Sequence, residues 1–567
     1  MNHFYTDEIN TLILISLLKA HNIRKIIASP GTTNISFVGS VQFDSYFEVY
    51  SAVDERTAGF MACGLAEESG EPVVLTCTGA TASRNYIAGL TEAYYRHLPI
   101  IAVTSTQHTG KVGNYVAQVI DRSQQFVDMV KKSIQLPTIY SEEDKQHSVT
   151  CVNEAILELT HGDMGPVHIN LCTTYSNNFK TKELPKYRKI RRVVNKDFPK
   201  LPDGKIGIFI GAHEAFSEEE IEAIDIFCEC NNAIVICDQI SNYRGKYRFL
   251  ANLVNSQKYN FGTKEFELII YIGYIHGAYL NFCGKNTWRV NKDGVIRDPY
   301  HNLTYVFEME EIEFFKHYHI PKCENSILEV SRKATSDILN KLPELPFSNM
   351  WIAKETAHLI PGDSILHLSI LNTLRVWNYF ETQNTVLCFS NSGGYGIDGC
   401  LSSFWGSAIA NPDKEHYMII GDLSFFYDIN TVFNIIPFNI HIMVINNGIG
   451  TEFKNYNHRA AIFGEEANNF IAAKGHNGYK NSNLVKGLCE GLGICYLSAS
   501  SKDEYLNNRE RWLEKGNGPI ILEAFTNDKD ESDALQLMNT IIQDTSLKTR
   551  MRKSIVWKMA RKIMRGE

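Results

Sequence analysis

Short apolar runs without polar alternation recur along the chain, and stretches of helical character separate them. Ile26-Ile27-Ala28 runs into Ser29-Pro30-Gly31, Val73-Val74-Leu75-Thr76 runs into Thr78-Gly79-Ala80-Thr81, and Ile100-Ile101-Ala102-Val103 follows. Runs this short with no polar face suit strands covered on both sides, as in a parallel sheet. Alternation with helices predicts an α/β fold. The rhythm returns at residues 206–210, 234–237, 268–272 and 304–307, and again at 364–366, 386–389, 418–420, 441–445 and 520–523. Three modules are predicted, over 1–185, 186–345 and 346–545, with a tail over 546–567. A Lys/Pro/Arg stretch from Lys180 to Arg192 has little apolar periodicity and reads as a linker. Residues 6–21 predict an amphipathic helix, with Asp7 and Glu8 in the first turn where the macrodipole favours acids.

Composition narrows the class. The chain has 567 residues, 44% hydrophobic and 21% charged, which excludes collagen-like, disordered and disulfide-scaffold proteins. A net charge of −8 supplies no basic field, so no nucleic-acid partner is expected. No apolar run approaches the ~18 residues of a membrane span. The apolar stretch 12–18 lacks the basic flank of a secretory signal, and a cytoplasmic location is expected. The thirteen cysteines are scattered without metal spacing and read as small buried hydrophobes. The tail carries eight Lys/Arg against one acid, with Met551, Ile555, Met559 and Ile563 every four residues. Such a basic amphipathic helix suits a membrane surface, an acidic partner, or docking on its own protein.

The sharpest chemistry lies in the third module. Tyr417-Met418-Ile419-Ile420 predicts a strand followed at once by Gly421-Asp422-Leu423-Ser424. A helical segment, the strand His441–Ile445 and Asn446-Asn447-Gly448 come next. A carboxylate and a carboxamide at adjacent strand ends are hard oxygen donors that can face one point, where parallel sheets bind ligands. Mg²⁺ needs a few such oxygens and completes its shell with water and phosphate. Gly421 allows close backbone approach, and the following helix offers its N-terminus to phosphate.

This strand–Gly-Asp–helix–strand–Asn-Asn order resembles the thiamine-diphosphate motif, and the resemblance covers roughly residues 5–530. It implies three Rossmann-like modules in the order PYR, middle, PP. In that family the PYR module gives a glutamate to the aminopyrimidine of a cofactor held by a second subunit's PP module. Val53-Asp54-Glu55-Arg56-Thr57-Ala58-Gly59 fits the glutamate that opens a small-residue helix, and Thr78-Gly79-Ala80-Thr81 with Asn85 fits the next family segment. The resemblance is greatest to the succinyl-enolpyruvyl-cyclohexene-carboxylate synthases of menaquinone biosynthesis, through Gly421 to Asp428 and Gly396-Ile397-Asp398-Gly399. It implies thiamine diphosphate and Mg²⁺ as cofactors, bound in a homo-oligomer whose sites lie at dimer interfaces. Glu55 and Gln118 become catalytic. Glu55, Gly79, Ile397, Gly421, Asp422, Leu423, Ser424 and Asn447 become cofactor contacts, with Ile397 the wedge that bends the cofactor. Asp422, Asn447 and the Ile449 carbonyl become Mg²⁺ ligands. FAD is not expected, because residues 186–345 hold no Gly-x-Gly-x-x-Gly.

Departures from that subfamily fall on its substrate-binding arginines. Thr32-Thr33 stand where it has Ser-Arg, Gln107 or His108 where it has an arginine, and Ser392 where it has another. Only Arg375 offers a match. Each lost charge-assisted pair removes about 1.5–3 kcal/mol of carboxylate binding. The expected reaction is therefore decarboxylation of a small 2-oxo acid with transfer of the aldehyde unit to an acceptor carbonyl. Simple decarboxylation of the phosphonopyruvate or sulfopyruvate type is the alternative, and a catalytically silent cofactor-binding scaffold is a third. Taken singly, the residues also have plain readings. Glu55 fits a surface acid at a helix start, Ile397 a core residue, Gln118 a loop brace, Arg375 a solvated helix charge and His108 a loop histidine.

Overall fold

Six short strands, of which β1, β3 and β4 are built on the first apolar runs, pair in parallel: β1 (Lys25–Ala28), β2 (Glu48–Ser51), β3 (Val73–Cys77), β4 (Ile100–Thr106), β5 (Lys132–Leu136) and β6 (Val167–Cys172). Their order is β2-β1-β3-β4-β6-β5. Every position of β3 and β4 is buried, as expected for strands covered on both faces. The computed structural model describes residues 4–194, 197–257, 265–277, 283–319, 325–476 and 483–542. The basic tail over 546–567 lies outside the described residues.

The chain divides into two compact units, Met1–Pro199 with Asn286–Met309, and Lys200–Lys285 with Glu310–Glu567. The strands of the middle module are shared between them. In the first unit, β7 (Arg191–Val193) pairs with β13 (Leu303–Phe307), which pairs with the end of β12 (Cys283–Val290). In the second, β8 (Ile206–Ile210), β9 (Ala233–Cys237), β10 (Arg248–Leu250) and β11 (Glu265–Ile272) form the parallel order β10-β9-β8-β11. The third module adds β14 (Ile365–Leu368), β15 (Leu387–Phe389), β16 (His416–Gly421), β17 (Ile440–Asn446), β18 (Cys495–Ala499) and β19 (Ile520–Phe525). Their order, β15-β14-β16-β17-β19-β18, repeats that of the first sheet strand for strand. The predicted three-module parallel α/β architecture is therefore present.

One local expectation is corrected. The N-terminal helix spans Ile9–Ala20, and every residue from Asn10 to Leu18 is buried, so it is not amphipathic. Asn10 Nδ2 donates to the Pro137 and Cys172 carbonyls, which lets a polar residue sit inside. Glu8 precedes the helix, and its Oε1 accepts from Thr173 Oγ1, the Thr174 and Ser176 N–H groups and Thr174 Oγ1 at 2.9–3.1 Å. Its acid anchors that loop rather than answering the helix dipole. The stretch expected to link modules has no helix or strand over residues 182–190. Its end forms β7, and Arg188 Nη2 pairs with Asp298 Oδ2 at 2.7 Å.

The helix Glu55–Ser69 opens with Asp54 accepting from the Arg56 N–H at 2.9 Å and stops at left-handed Gly70. It packs on the helix Ile87–Tyr95 where two glycines meet: a Cβ at Gly89 would stand 2.6 Å from the Gly59 carbonyl carbon. Eight of the eleven described cysteines are buried. Among the described residues, no helix is long and apolar enough to cross a membrane.

Candidate active site

The third sheet delivers its motif as the sequence predicts. β16 ends at Gly421, and Asp422 opens the helix Asp422–Tyr427 with its side chain buried. β17 runs beside it, with Gly421 opposite Ile445. Gly448, at a left-handed φ of 73°, turns the chain back after β17. Its N–H donates to Asp422 Oδ2 at 2.8 Å, and Asn447 Oδ1 accepts from the Ile449 N–H at 3.3 Å. The three proposed cation ligands, Asp422, Asn447 and Ile449, thus lie on one pair of linked loops. Asp422 Oδ2 also accepts from His476 Nε2 at 2.7 Å. A Cβ at Gly421 would meet nothing within 4 Å, so no intrachain contact requires the glycine there. This donor set of oxygens could hold a hard divalent cation.

Ser424 Oγ donates to the Ile397 carbonyl at 2.7 Å and ties the predicted wedge to the Gly-Asp segment. Ile397 is half-buried and packs on the core around Cys400, Leu401 and Phe404. Leu423 is half-buried and Ser392 is buried. Glu523 on β19 accepts from Asn446 Nδ2 at 2.7 Å and Tyr496 OH at 2.8 Å, and burial raises its carboxyl.

Arg375 is not the solvated charge of its plain reading. It lies on the helix Asn372–Trp377, and Nη1 pairs with Glu452 Oε1 at 2.5 Å with both side chains largely covered. The pair lines a cavity of about 630 Å³ with Asn252, Asn455, His458 and Arg459.

The first sheet carries the other half. Glu55 stands half-buried at the start of its helix, with Asn85 Nδ2 at 3.5 Å from Oε2. Thr33 is buried, and its hydroxyl meets Thr78 Oγ1 at 2.8 Å and the Ser105 carbonyl at 3.2 Å while accepting from the Gly79 N–H at 3.2 Å. Gly79 leaves no space for a side chain, since a Cβ would stand 2.8 Å from the Gln118 carbonyl. Gln118 has a left-handed φ of 60° and an exposed side chain. Thr32 is exposed, Gln107 Oε1 accepts from Lys111 Nζ at 2.7 Å, and His108 Nδ1 accepts from the Gly110 N–H at 3.0 Å, capping a turn.

Thr33, Gly79 and Gln118 therefore converge at the ends of β1, β3 and β4, and Asp422, Asn447 and Ile449 at those of β16 and β17. Two site-lining groups escaped the sequence reading. His476 reaches Asp422 across 54 positions, and Arg122 reaches Ser105 across 17. Neither sits in a spacing that would single it out.

Residues 11–126 match the family described as "Thiamine pyrophosphate enzyme, N-terminal TPP binding domain". With its three parallel α/β modules and the relatives below, the chain is similar to thiamine-diphosphate-dependent enzymes that act on carbon–carbon bonds. Over nearly its whole length it is similar to curated 2-succinyl-5-enolpyruvyl-6-hydroxy-3-cyclohexene-1-carboxylate synthases. That of Bacteroides thetaiotaomicron is 29% identical over 94% of this chain and 98% of its own length. That of Phocaeicola vulgatus shows the same identity and coverage, and that of Flavobacterium johnsoniae is 26% identical over 90% of this chain and 95% of its own length.

Proposed function

We propose that the chain decarboxylates a small 2-oxo acid and transfers the resulting aldehyde unit to an acceptor carbonyl, using thiamine diphosphate and Mg²⁺. The convergence of Asp422 with the Asn447–Ile449 loop carries this reading. Asp422, Asn447 and the Ile449 carbonyl would hold the cation, with Gly421, Leu423 and Ser424 beside the diphosphate and Ile397 as the wedge. When bound, thiamine diphosphate supplies the electron sink that decarboxylation of a 2-oxo acid needs.

The remaining steps belong to the protein. Glu55 would hold and exchange a proton at a pyrimidine ring nitrogen, reached with Gly79 from the partner subunit of a homo-oligomer. Val53, Phe60 and Met61, near or on the Glu55 helix, expose 76%, 47% and 39% of their surface, which supports a covering partner. Ile397 would contribute proximity, with its carbonyl fixed by Ser424. Gln118 would orient substrate from its exposed loop.

Simple decarboxylation is the second reading, and the Arg375–Glu452 pair favours it. That pair leaves Arg375 neutralised, so it offers little to a multiply acidic acceptor. Glu55→Gln tests the shared first half. Turnover should fall by roughly 10²–10⁴-fold with melting temperature and cofactor affinity little changed. Near-normal turnover would refute the role of Glu55.

A further inference from the structure

Arg122 is a buried cation without a counter-ion. It is 2% exposed, and burial lowers its guanidinium only to about 10, so it is charged at neutral pH. Nη2 donates to the Ser105 carbonyl at 2.9 Å, whereas Nε and Nη1 have no hydrogen-bond partner. Arg122 makes no ion pair among the described residues. The nearby thiols cannot stand in, because burial pushes Cys77 up to about 12 and Cys172 up to about 11. Arg84 adds a second positive charge, and its Nη2 holds the Asp121 carbonyl at 2.9 Å. The hydroxyl of Ser105 is also buried and unpartnered.

An uncompensated buried charge is expensive, and a folded chain retains one where something else supplies the opposite charge. The position says what. Nη2 shares the Ser105 carbonyl with the Thr33 hydroxyl, and the guanidinium lies beside Gly79. Arg122 follows Gln118 by four positions. The first sheet reverses strand order between β1 and β3, and ligands of such sheets bind at the strand ends flanking that reversal.

We propose that Arg122 anchors a carboxylate of the substrate, receiving it on the unpartnered Nε and Nη1 face. A guanidinium edge matches a carboxylate with two parallel N–H donors. Arg122 itself lies on the irregular segment from residue 107 to residue 127. It holds one short turn as its only regular element and exposes Tyr115, Phe126 and Val127, so a small shift of the segment can turn the guanidinium toward a ligand while breaking few buried contacts. The proposal relies on the 2-oxo-acid reading above only for the identity of the anion.

The test is thermal denaturation of the full chain with Mg²⁺ and thiamine diphosphate. Pyruvate, 2-oxobutyrate and 2-oxoglutarate are added in turn, each beside its neutral 1-amide. The wild type should be stabilised by at least one acid and not by its amide. Arg122→Met should melt no lower than wild type without ligand, because it removes an uncompensated charge, and should lose the acid-dependent rise. Arg122→Lys should retain part of that rise, with KM for the acid raised about tenfold or more and kcat changed less. The proposal is overturned by an unchanged rise in Arg122→Met, by equal effects of acid and amide, by no response to any acid, or by failure of both variants to fold. Arg122-dependent stabilisation without CO₂ release or a new carbon–carbon bond would keep the anchor and remove the decarboxylation reading.

Discussion

Glu531 lies in the first turn of the helix Asp528–Asn539, almost wholly buried, and accepts from Thr526 Oγ1 at 2.7 Å and the Asn349 N–H at 3.0 Å. Burial raises its carboxyl from 4.5 to about 7. The unfolded chain therefore releases this proton before the folded one does. Stability falls as pH rises from about 4.5 to about 7, and the penalty, on the order of 3 kcal/mol, is complete above that window. Glu531→Gln keeps an acceptor oxygen and cannot ionise. It should stabilise the protein in denaturant titrations at about pH 8 and change little at about pH 4. An equal effect at both pH values would show that the carboxyl ionises freely. At this scale the sequence shows Asp422 and Asn447, because their spacing reports two adjacent strand ends. It conceals Arg122 and His476, because their partners are brought in by tertiary folding alone.

The helix Glu55–Ser69 owes its position to close backbone contact with the helix Ile87–Tyr95. Gly89→Ala would drive a methyl group to within 2.6 Å of backbone that has no rotamer to yield. It should cost about 1–3 kcal/mol in equilibrium denaturation and weaken cofactor binding through Glu55. Gly64→Ala on the same helix meets nothing within 4 Å and should stabilise by up to about 1 kcal/mol. Similar outcomes for the two substitutions would refute the glycine contact. The apolar interior strands were legible as elements, whereas β6 was not. His168 on β6 bonds Thr104 Oγ1 at 2.7 Å and Ser133 Oγ at 2.8 Å, and Asn170 bonds Gln135 Oε1 at 2.6 Å. These polar side chains are satisfied only by neighbouring strands, so they interrupt the apolar run that marks β3 and β4. The edge strands β2 and β18 carry exposed residues and left no apolar run either.

At the scale of the whole molecule, the first and third sheets share one strand order, and each gathers its candidate residues at equivalent strand ends. Thr78-Gly79 follows β3, and Asp422 follows β16, the counterpart of β3 in the third sheet. The architecture was legible because buried parallel strands are the chain's strongest signal. The substrate was not, because the residues that would select it sit on loops whose contacts are set by packing. The central claim is that these two sheets serve one thiamine-diphosphate reaction on a 2-oxo acid. Its most direct measurement is CO₂ release by the purified chain with Mg²⁺ and thiamine diphosphate across a panel of carboxyl-labelled 2-oxo acids, with Asp422→Ala alongside. The account predicts release from at least one acid, dependent on added cofactor and abolished by Asp422→Ala. Tight cofactor binding without release from any acid, in the presence or absence of acceptor aldehydes and ketones, would contradict it.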